Sequence, residues 1–198
     1  MLVLRNKVIT GIDLAGKQEN PTGYALWKTG VAETSLIYTD GEILEKILRD
    51  NPCIIAVDAP FSFPIEGTLR VADKKMIKNG YKVFPPRLQA MEKLTKRAIR
   101  LNKLIAEKGY KAIEVHPTST RKALDMPTKD YSGIQEIYMQ MGLEGTTKER
   151  SLTSHELDAI TAALTAHLYI KGQTRALGDK NEGYIIIPKR QNWRTLKL

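Results

Sequence analysis

Three short apolar runs, each with a carboxylate at or near its end, constrain the fold of this chain more than any other feature. The runs cover residues 7–14 with Asp13, residues 53–57 just before Asp58, and residues 112–116 with Glu114. Short, nearly continuous apolar runs are typical of strands that are buried on both faces of a parallel sheet. They predict an α/β fold whose acids lie near the carboxyl ends of strands, where ligands of such sheets bind.

The rest of the chain supplies a hairpin and several helices. Residues 22–27 and 33–39 alternate in polarity around a turn at Gly30, which predicts two antiparallel strands. Apolar residues at helical spacing predict helices over 42–50, 69–79, 87–108, 133–141 and 154–170, and residues 184–188 read as a short final strand. We therefore expect one domain over residues 1–198, with a mixed sheet and a basic helical insertion at about 65–110.

The acids at the strand ends predict a metal site. Each one alone is also compatible with capping a helix or bonding a turn, but neighbouring strands are only ~5 Å apart, so acids at equal height can share one ion. On the helix 154–170, His155 and Asp158 are three residues apart and share one side. We expect Asp13, Asp58, Glu114 and Asp158 to bind Mg²⁺ or Mn²⁺, the ions that prefer oxygen ligands.

Positive charge is concentrated in two segments. The net charge is +9, and residues 70–111 hold 13 basic and 3 acidic side chains, while residues 171–198 hold 7 and 2. A basic stripe beside carboxylates predicts that a polyanion is brought to the acids, although a solvated helix face gives the same pattern. The candidate nucleic-acid contacts are Arg70, Lys74, Lys93, Lys96, Arg97 and Arg100.

Several classes of protein are disfavoured by composition. The single cysteine, Cys53, excludes an intramolecular disulfide and a zinc site built on paired cysteines. The apolar runs are too short to cross a bilayer, and the N-terminus has no cleavage site typical of a signal peptide. We expect a cytoplasmic protein without a membrane partner, and the sequence leaves the oligomeric state open, a homodimer included.

Four blocks of sequence, in chain order, resemble the domain-of-unknown-function family 429. They are GIDLAG (11–16), AVDAPFSFP (56–64) followed by Arg70 and Asp73, EVHP (114–117) and SHELDAITAALTA (154–166). Members of this family are described as predicted nucleases with a ribonuclease H-like fold, which is also the fold of the Holliday-junction resolvases. The resemblance implies a five-stranded mixed sheet flanked by helices, in the order 3-2-1-4-5 with strand 2 antiparallel.

The resemblance also implies roles for individual residues. Asp13 matches the acid of the first strand, Asp58 the acid of the fourth strand, and Asp158 a metal ligand on the last helix. His155 is then a ligand or a proton-handling group, so the catalytic candidates are Asp13, Asp58, Glu114, His155 and Asp158.

The function that these patterns favour is metal-dependent hydrolysis of the phosphodiester bonds of nucleic acid. Two alternatives stay open. One is a nucleic-acid-binding module without catalysis on the same fold, and the other is an actin-like ATPase or phosphotransferase, which usually needs a second such domain. Arg70 is expected either to contact phosphate or to pair with Asp73 or Asp58, and DNA cannot be distinguished from RNA.

Overall fold

The structure, a computed structural model, describes residues 7–196, so the N-terminal residues for which no signal peptide is predicted lie partly outside it. The strands are β1 (Val8–Asp13), β2 (Thr22–Lys28), β3 (Val31–Ile37), β4 (Ile54–Asp58), β5 (Ala112–Val115), β6 (Glu144–Gly145), β7 (Thr174–Asp179) and β8 (Gly183–Pro188). The helices are α1 (Asp40–Asp50), α2 (Val71–Lys78), α3 (Gln89–Glu107), α4 (Pro117–Ala123), α5 (Tyr131–Gln140), α6 (Thr146–Glu149) and α7 (Ser154–Ile170).

The sheet has more strands than the sequence predicts. Its order is β6-β3-β2-β1-β4-β5-β8-β7, so the predicted order 3-2-1-4-5 is confirmed as an inner block, but the count of five is wrong. As predicted, β2 runs antiparallel to β1 and β3, while β1, β4 and β5 are parallel. Strand β8 confirms the predicted final strand at 184–188 and pairs with β5. The strands that the sequence does not predict are β6, which has only two residues, and β7, which pairs with β8 at the edge of the sheet.

Helices cover both faces of the sheet because successive strand residues point to opposite sides. In β1, Ile9 packs in the core under α5 and α7, whereas Ile12 packs in the opposite core under α1 and α3. A third, smaller core joins α2 to the β7–β8 hairpin through Met76 and Ile187. Both helices of the predicted insertion therefore pack on the sheet.

Helix α7 lies unusually close to the sheet because two strand residues beneath it are glycines. A Cβ atom on Gly11 would lie 2.0 Å from the carbonyl oxygen of Ala159, and one on Gly23 would lie 2.0 Å from that of His155. No side chain fits at either place. The close approach brings the first turns of α7 over the carboxyl end of β1.

The start of α7 is fixed by a capping box. The hydroxyl of Thr153 accepts the backbone N–H of Glu156, and the carboxylate of Glu156 accepts the backbone N–H of Thr153. Burial favours the neutral form of Glu156, yet the ion pair with Arg150 and these hydrogen bonds lower its pKa to about 2. The start of α7 is therefore stabilised by the Glu156 carboxylate, which stays charged at neutral pH.

Within residues 7–196, no helix is both long enough and apolar enough to span a bilayer.

Candidate active site

The centre of the site is a pair of acids at the carboxyl ends of two adjacent parallel strands. Asp13 of β1 and Asp58 of β4 are partners in the strand register, so their backbones lie side by side. Both point to the face covered by α7, since Ile54 and Ala56 of β4 pack in the core beneath that helix. This placement agrees with the predicted pairing of the first-strand and fourth-strand acids.

Helix α7 adds two further groups above this pair. His155 Nδ1 donates a hydrogen bond of 2.7 Å to Asp13 Oδ2, and the imidazole side chain is 45% exposed. Asp158, one turn further along the helix, forms an ion pair with the guanidinium of Arg121. The structure thus assembles Asp13, Asp58, His155 and Asp158 from three separate parts of the chain.

The electrostatics of the site reflect crowding of negative charge. Burial raises the pKa of Asp58 well above its usual value, and the carboxylates of Asp13 and Asp158 raise it further. Burial also raises the pKa of Asp158, although the guanidinium of Arg121 opposes this effect. The hydrogen bond to Asp13 raises the pKa of His155, which favours the imidazolium form.

Arg121 is a member of the site that the sequence reasoning missed. It lies on the short helix α4, is 1% exposed, and also donates to Thr161 Oγ at 3.1 Å. The Nε of this guanidinium is buried without a hydrogen-bond partner in the described part of the chain. The sequence does contain a signal for the helix that carries Arg121. Pro117 directly follows the third apolar strand, and proline favours the first turn of a helix.

Glu114 takes a different position from the one its sequence context suggests. It is in register with Val57 rather than Asp58, and its neighbours Ile113 and Val115 pack under α7, so Glu114 points to the opposite face. Its carboxylate accepts two hydrogen bonds from Arg70, at 2.6 and 2.8 Å. That Glu114 binds a metal stays a prediction, and its hydrogen bonds to Arg70 favour a structural role instead.

Arg70 is buried in the same cluster. It is 1% exposed and also forms an ion pair of 2.9 Å with Asp73, so the expected pairing with Asp73 is present. A guanidinium so deeply enclosed is out of reach of a phosphate on the surface. His116, next to this cluster, is held neutral because burial lowers its pKa to about 4.

The basic side chains of α3 divide into two groups. Lys93, Lys96 and Arg100 border an open cleft of about 700 Å³ between α3 and the loop 16–20. Arg97 lines the same cleft but is 5% exposed, because it bonds Asp40 and the carbonyl oxygens of Ala15 and Lys17. Lys74 is exposed on α2.

A smaller cavity of about 220 Å³ opens at the acid pair. It is bordered by Asp13, Asp58, Glu114 and His116 on its polar side and by Phe84 and Met91 on its apolar side. The 68% exposed ring of Phe84 lies at this cavity. A ligand that entered would meet carboxylates at the end of the sheet and an apolar wall opposite.

The donor set fits a divalent cation in part. Asp13 and Asp58 supply carboxylate oxygens at matching height, and their repulsion is what a hard cation relieves. Among residues 7–196, however, no three side chains of the His, Cys, Asp or Glu type are grouped as metal ligands. Asp158 is ion-paired with Arg121 and would have to leave that pair to serve as a third ligand.

The inner strands, in the order 3-2-1-4-5 with β2 antiparallel, have the arrangement that the sequence resemblance implies. Two solved structures of Thermus thermophilus RuvC have a similar fold. One, in complex with a Holliday junction substrate, has a TM-score of 0.55 and 18% identity, covering 84% of this chain and 96% of RuvC. The other has a TM-score of 0.50 and 18% identity, covering 83% and 96%.

No family model and no curated protein matches the chain. The resemblance to the domain-of-unknown-function family 429 therefore stays a prediction, while the fold is that of the RuvC structures.

Proposed function

We propose that this protein is a nuclease that hydrolyses phosphodiester bonds of nucleic acid with the help of bound Mg²⁺ or Mn²⁺. The observation that carries the proposal is the register of Asp13 with Asp58 beneath the start of α7, where His155 and Asp158 lie. The similarity of the fold to that of RuvC, one structure of which contains a Holliday junction substrate, supports nucleic acid as the substrate.

The residues have distinct parts in this proposal. Asp13, Asp58 and Asp158 would hold the cation, which when bound polarises the phosphate and lowers the pKa of a water. Asp158 would leave its ion pair with Arg121 to bind the cation. The nearby guanidinium of Arg121 would still offset part of the negative charge of the buried carboxylates. His155 holds a proton through its hydrogen bond to Asp13 and, being half exposed, is accessible to a substrate oxygen.

Basic residues of α3 would bind the backbone of the substrate. Lys93, Lys96 and Arg100 border the open cleft and would neutralise phosphates there, each in a salt-dependent way. Two of them would do so in exchange for the ion pairs that Lys96 forms with Glu92 and Arg100 with Asp40. Arg97 positions the loop 16–20 from the interior rather than touching the ligand itself. Arg70 and Glu114 support the floor of the acid cavity from the other face of the sheet.

Cleavage assays with Mg²⁺ and with Mn²⁺ test the proposal on labelled single strands, duplexes and four-way junctions of DNA and RNA. We expect Asp13→Asn and Asp158→Asn to lower the cleavage rate by at least about 100-fold while nucleic-acid binding persists. Glu107→Gln is the matched control, because this exposed acid lies at the end of α3, remote from the site. Equal cleavage by the Asn variants and the wild type would refute the assignment.

A module that only binds nucleic acid is the second candidate, favoured by the ion pair of Asp158 with Arg121. Calorimetry separates the two candidates. A nuclease of the proposed kind takes up Mn²⁺ in a manner that Asp13→Asn weakens, whereas a binding module takes up none and cleaves no substrate.

A further inference from the structure

A second cleft, of about 460 Å³, lies apart from the acids and from α3. It is bordered by Lys78, Asn79, Arg175 and Arg190. Three of these four side chains are cationic, and none of the three forms an ion pair with an acid within the described residues 7–196. Three uncompensated cations around one cleft repel each other, so an anion in the cleft stabilises this part of the protein.

Two hydrogen bonds hold the cationic groups in place. Arg175 Nη1 donates to Asn79 Oδ1 at 3.3 Å, and Arg190 Nη2 donates to the carbonyl oxygen of Asn79 at 2.8 Å. Asn79 therefore orients both guanidinium groups at the end of α2. The Nε of Arg175 is buried and has no partner among the residues described, so the protein does not satisfy this guanidinium fully.

The topology puts this cleft at the same edge of the sheet as the acid pair. Strand β8 is parallel to β5, so Arg190 follows the carboxyl end of β8. Arg175 lies near the start of the antiparallel β7 and is in register with Ile187, close to that end. Three strand spacings separate β4 from β7, so the backbone of Arg175 lies about 14 Å along the edge from that of Asp58. The side chain of Arg175 points to the face of Ile187 and α2, so a strand that reaches it from the acids has to cross the end of the sheet.

The loop after α2 connects the two places without negative charge. Arg190 packs over the ring of Tyr81 at 5.8 Å, Lys122 donates to the carbonyl oxygen of Gly80 at 2.8 Å, and Phe84 reaches the acid cavity. The segment 74–91 contains no Asp or Glu. A polyanion can follow this loop from the acids to the cleft without meeting a repelling group on it.

We propose that the cleft of Lys78, Arg175 and Arg190 binds a backbone phosphate of the substrate, about four nucleotides from the bond that is cleaved. The spacing follows from about 14 Å along the edge and about 3.4 Å of axial rise per nucleotide of one strand in a duplex. Guanidinium groups suit phosphate because they donate paired hydrogen bonds in a fixed plane. The inference rests on the proposed function, since that function defines the bond from which the distance is counted.

Binding of oligonucleotides without divalent ions tests this site separately from cleavage. The variant Lys78→Gln/Arg175→Gln/Arg190→Gln is compared with Lys28→Gln/Lys108→Gln/Lys171→Gln, which removes the same charge from exposed positions at the opposite edge. We expect the first variant to bind about tenfold more weakly, with a plot of log K against log salt shallower by about 0.7–0.9 for each phosphate lost. We expect the second variant to bind nearly as the wild type does.

Substrate length locates the phosphate. The wild type should bind oligonucleotides with fewer than four nucleotides on one side of the cleavage point less tightly than longer ones. The affinity of the first variant should not change with this shortening. An equal truncation effect in both proteins, or an equal loss in the control variant, overturns the site. Tight binding of inorganic phosphate alone, measured by calorimetry, also overturns it, because the site then serves a free anion. Length-dependent binding by a wild type that never cleaves supports the site and refutes the proposed function instead.

Discussion

The contact between α7 and β1 allows a sharp test of how the site is assembled. In Gly11→Ala, the new Cβ would lie 2.0 Å from the carbonyl oxygen of Ala159 and 2.5 Å from the amide nitrogen of Ala163. Ordinary van der Waals contacts begin at 3.4 Å. The clashing atoms belong to the helix backbone, which cannot rotate aside as a side chain can, so α7 has to move away from β1 by about 1.4 Å. Overpacking of this severity costs about 3 kcal/mol of unfolding free energy.

The same movement has a functional consequence. His155 lies in the first turn of α7 and bonds Asp13 at 2.7 Å, so a shift of α7 by more than 1 Å breaks this contact. A misplacement of about 1 Å at reacting groups lowers rates by about 100-fold. Urea unfolding measures the stability of the variant, and the cleavage assay, run well below the unfolding midpoint, measures its rate.

Gly16→Ala is the matched control for this substitution. The Cβ added there meets Leu94 at 3.4–3.6 Å, an ordinary contact, and the backbone of Gly16 does not have a positive φ. We expect its unfolding free energy to stay within about 1 kcal/mol of the wild type. If Gly11→Ala is as stable as Gly16→Ala, α7 does not pack on the glycines as described and the assembly of the site has to be reconsidered.

Three further predictions concern charged groups in the interior. Arg70→Met leaves Glu114 buried without its guanidinium, so the unfolding free energy should fall by about 3–5 kcal/mol in urea titrations. Arg121→Gln removes the cation that opposes the raised pKa of Asp158, so that pKa should rise further, as carboxyl-carbon NMR would show. Glu156 has a folded pKa of about 2, below the ~4.3 of an unfolded chain; its charge stabilises the fold above pH ~4.3, and that stabilisation disappears as the pH falls through about 2. The difference in urea stability between the wild type and Glu156→Gln should therefore be largest near neutral pH and smallest near pH 2.

The acid-bearing strands are the part of the fold that the sequence predicts best. Residues 53–57 are apolar on both faces, residues 112–116 are apolar apart from Glu114 and His116, and both runs are bounded by breakers, so strands β4 and β5 were expected within a residue or two. Helix α7 is predicted with its observed bounds of 154–170, because the capping box at Thr153 and Glu156 marks its start. These elements carry strong local signals.

The missed elements have weak local signals or none. Strand β6 is two residues long and exists only because β3 offers an edge for pairing. Strand β7 contains Arg175 and Gly178 within six residues, and it becomes a strand by pairing with β8. Propensity cannot show such pairings, because the partner is defined only by the tertiary fold.

The residues of the candidate site also differ in whether local sequence signals predict them. The strand ends point to Asp13 and Asp58, and helical spacing adds His155 and Asp158. The structure puts Asp13 beside Asp58 and within hydrogen-bond distance of His155, whereas Asp158 bonds Arg121. The orientation of Glu114 depends on its register with Val57, and the ion pair of Asp158 depends on how α4 packs on α7. Neither register nor packing between helices can be read from one sequence.

The glycine contacts described for α7 also bear on ion size. Because backbone touches backbone at Gly11 and Gly23, nothing compressible separates the helix from the strands. The spacing between the acids of the strands and Asp158 of the helix is then set by the peptide framework, and only rotation of side chains would be left to accommodate ions of different radius. In the proposed metal site, such a frame would discriminate sharply between ions with bonds of about 2.1 Å and a larger one such as Ca²⁺, whose bonds are about 2.4 Å.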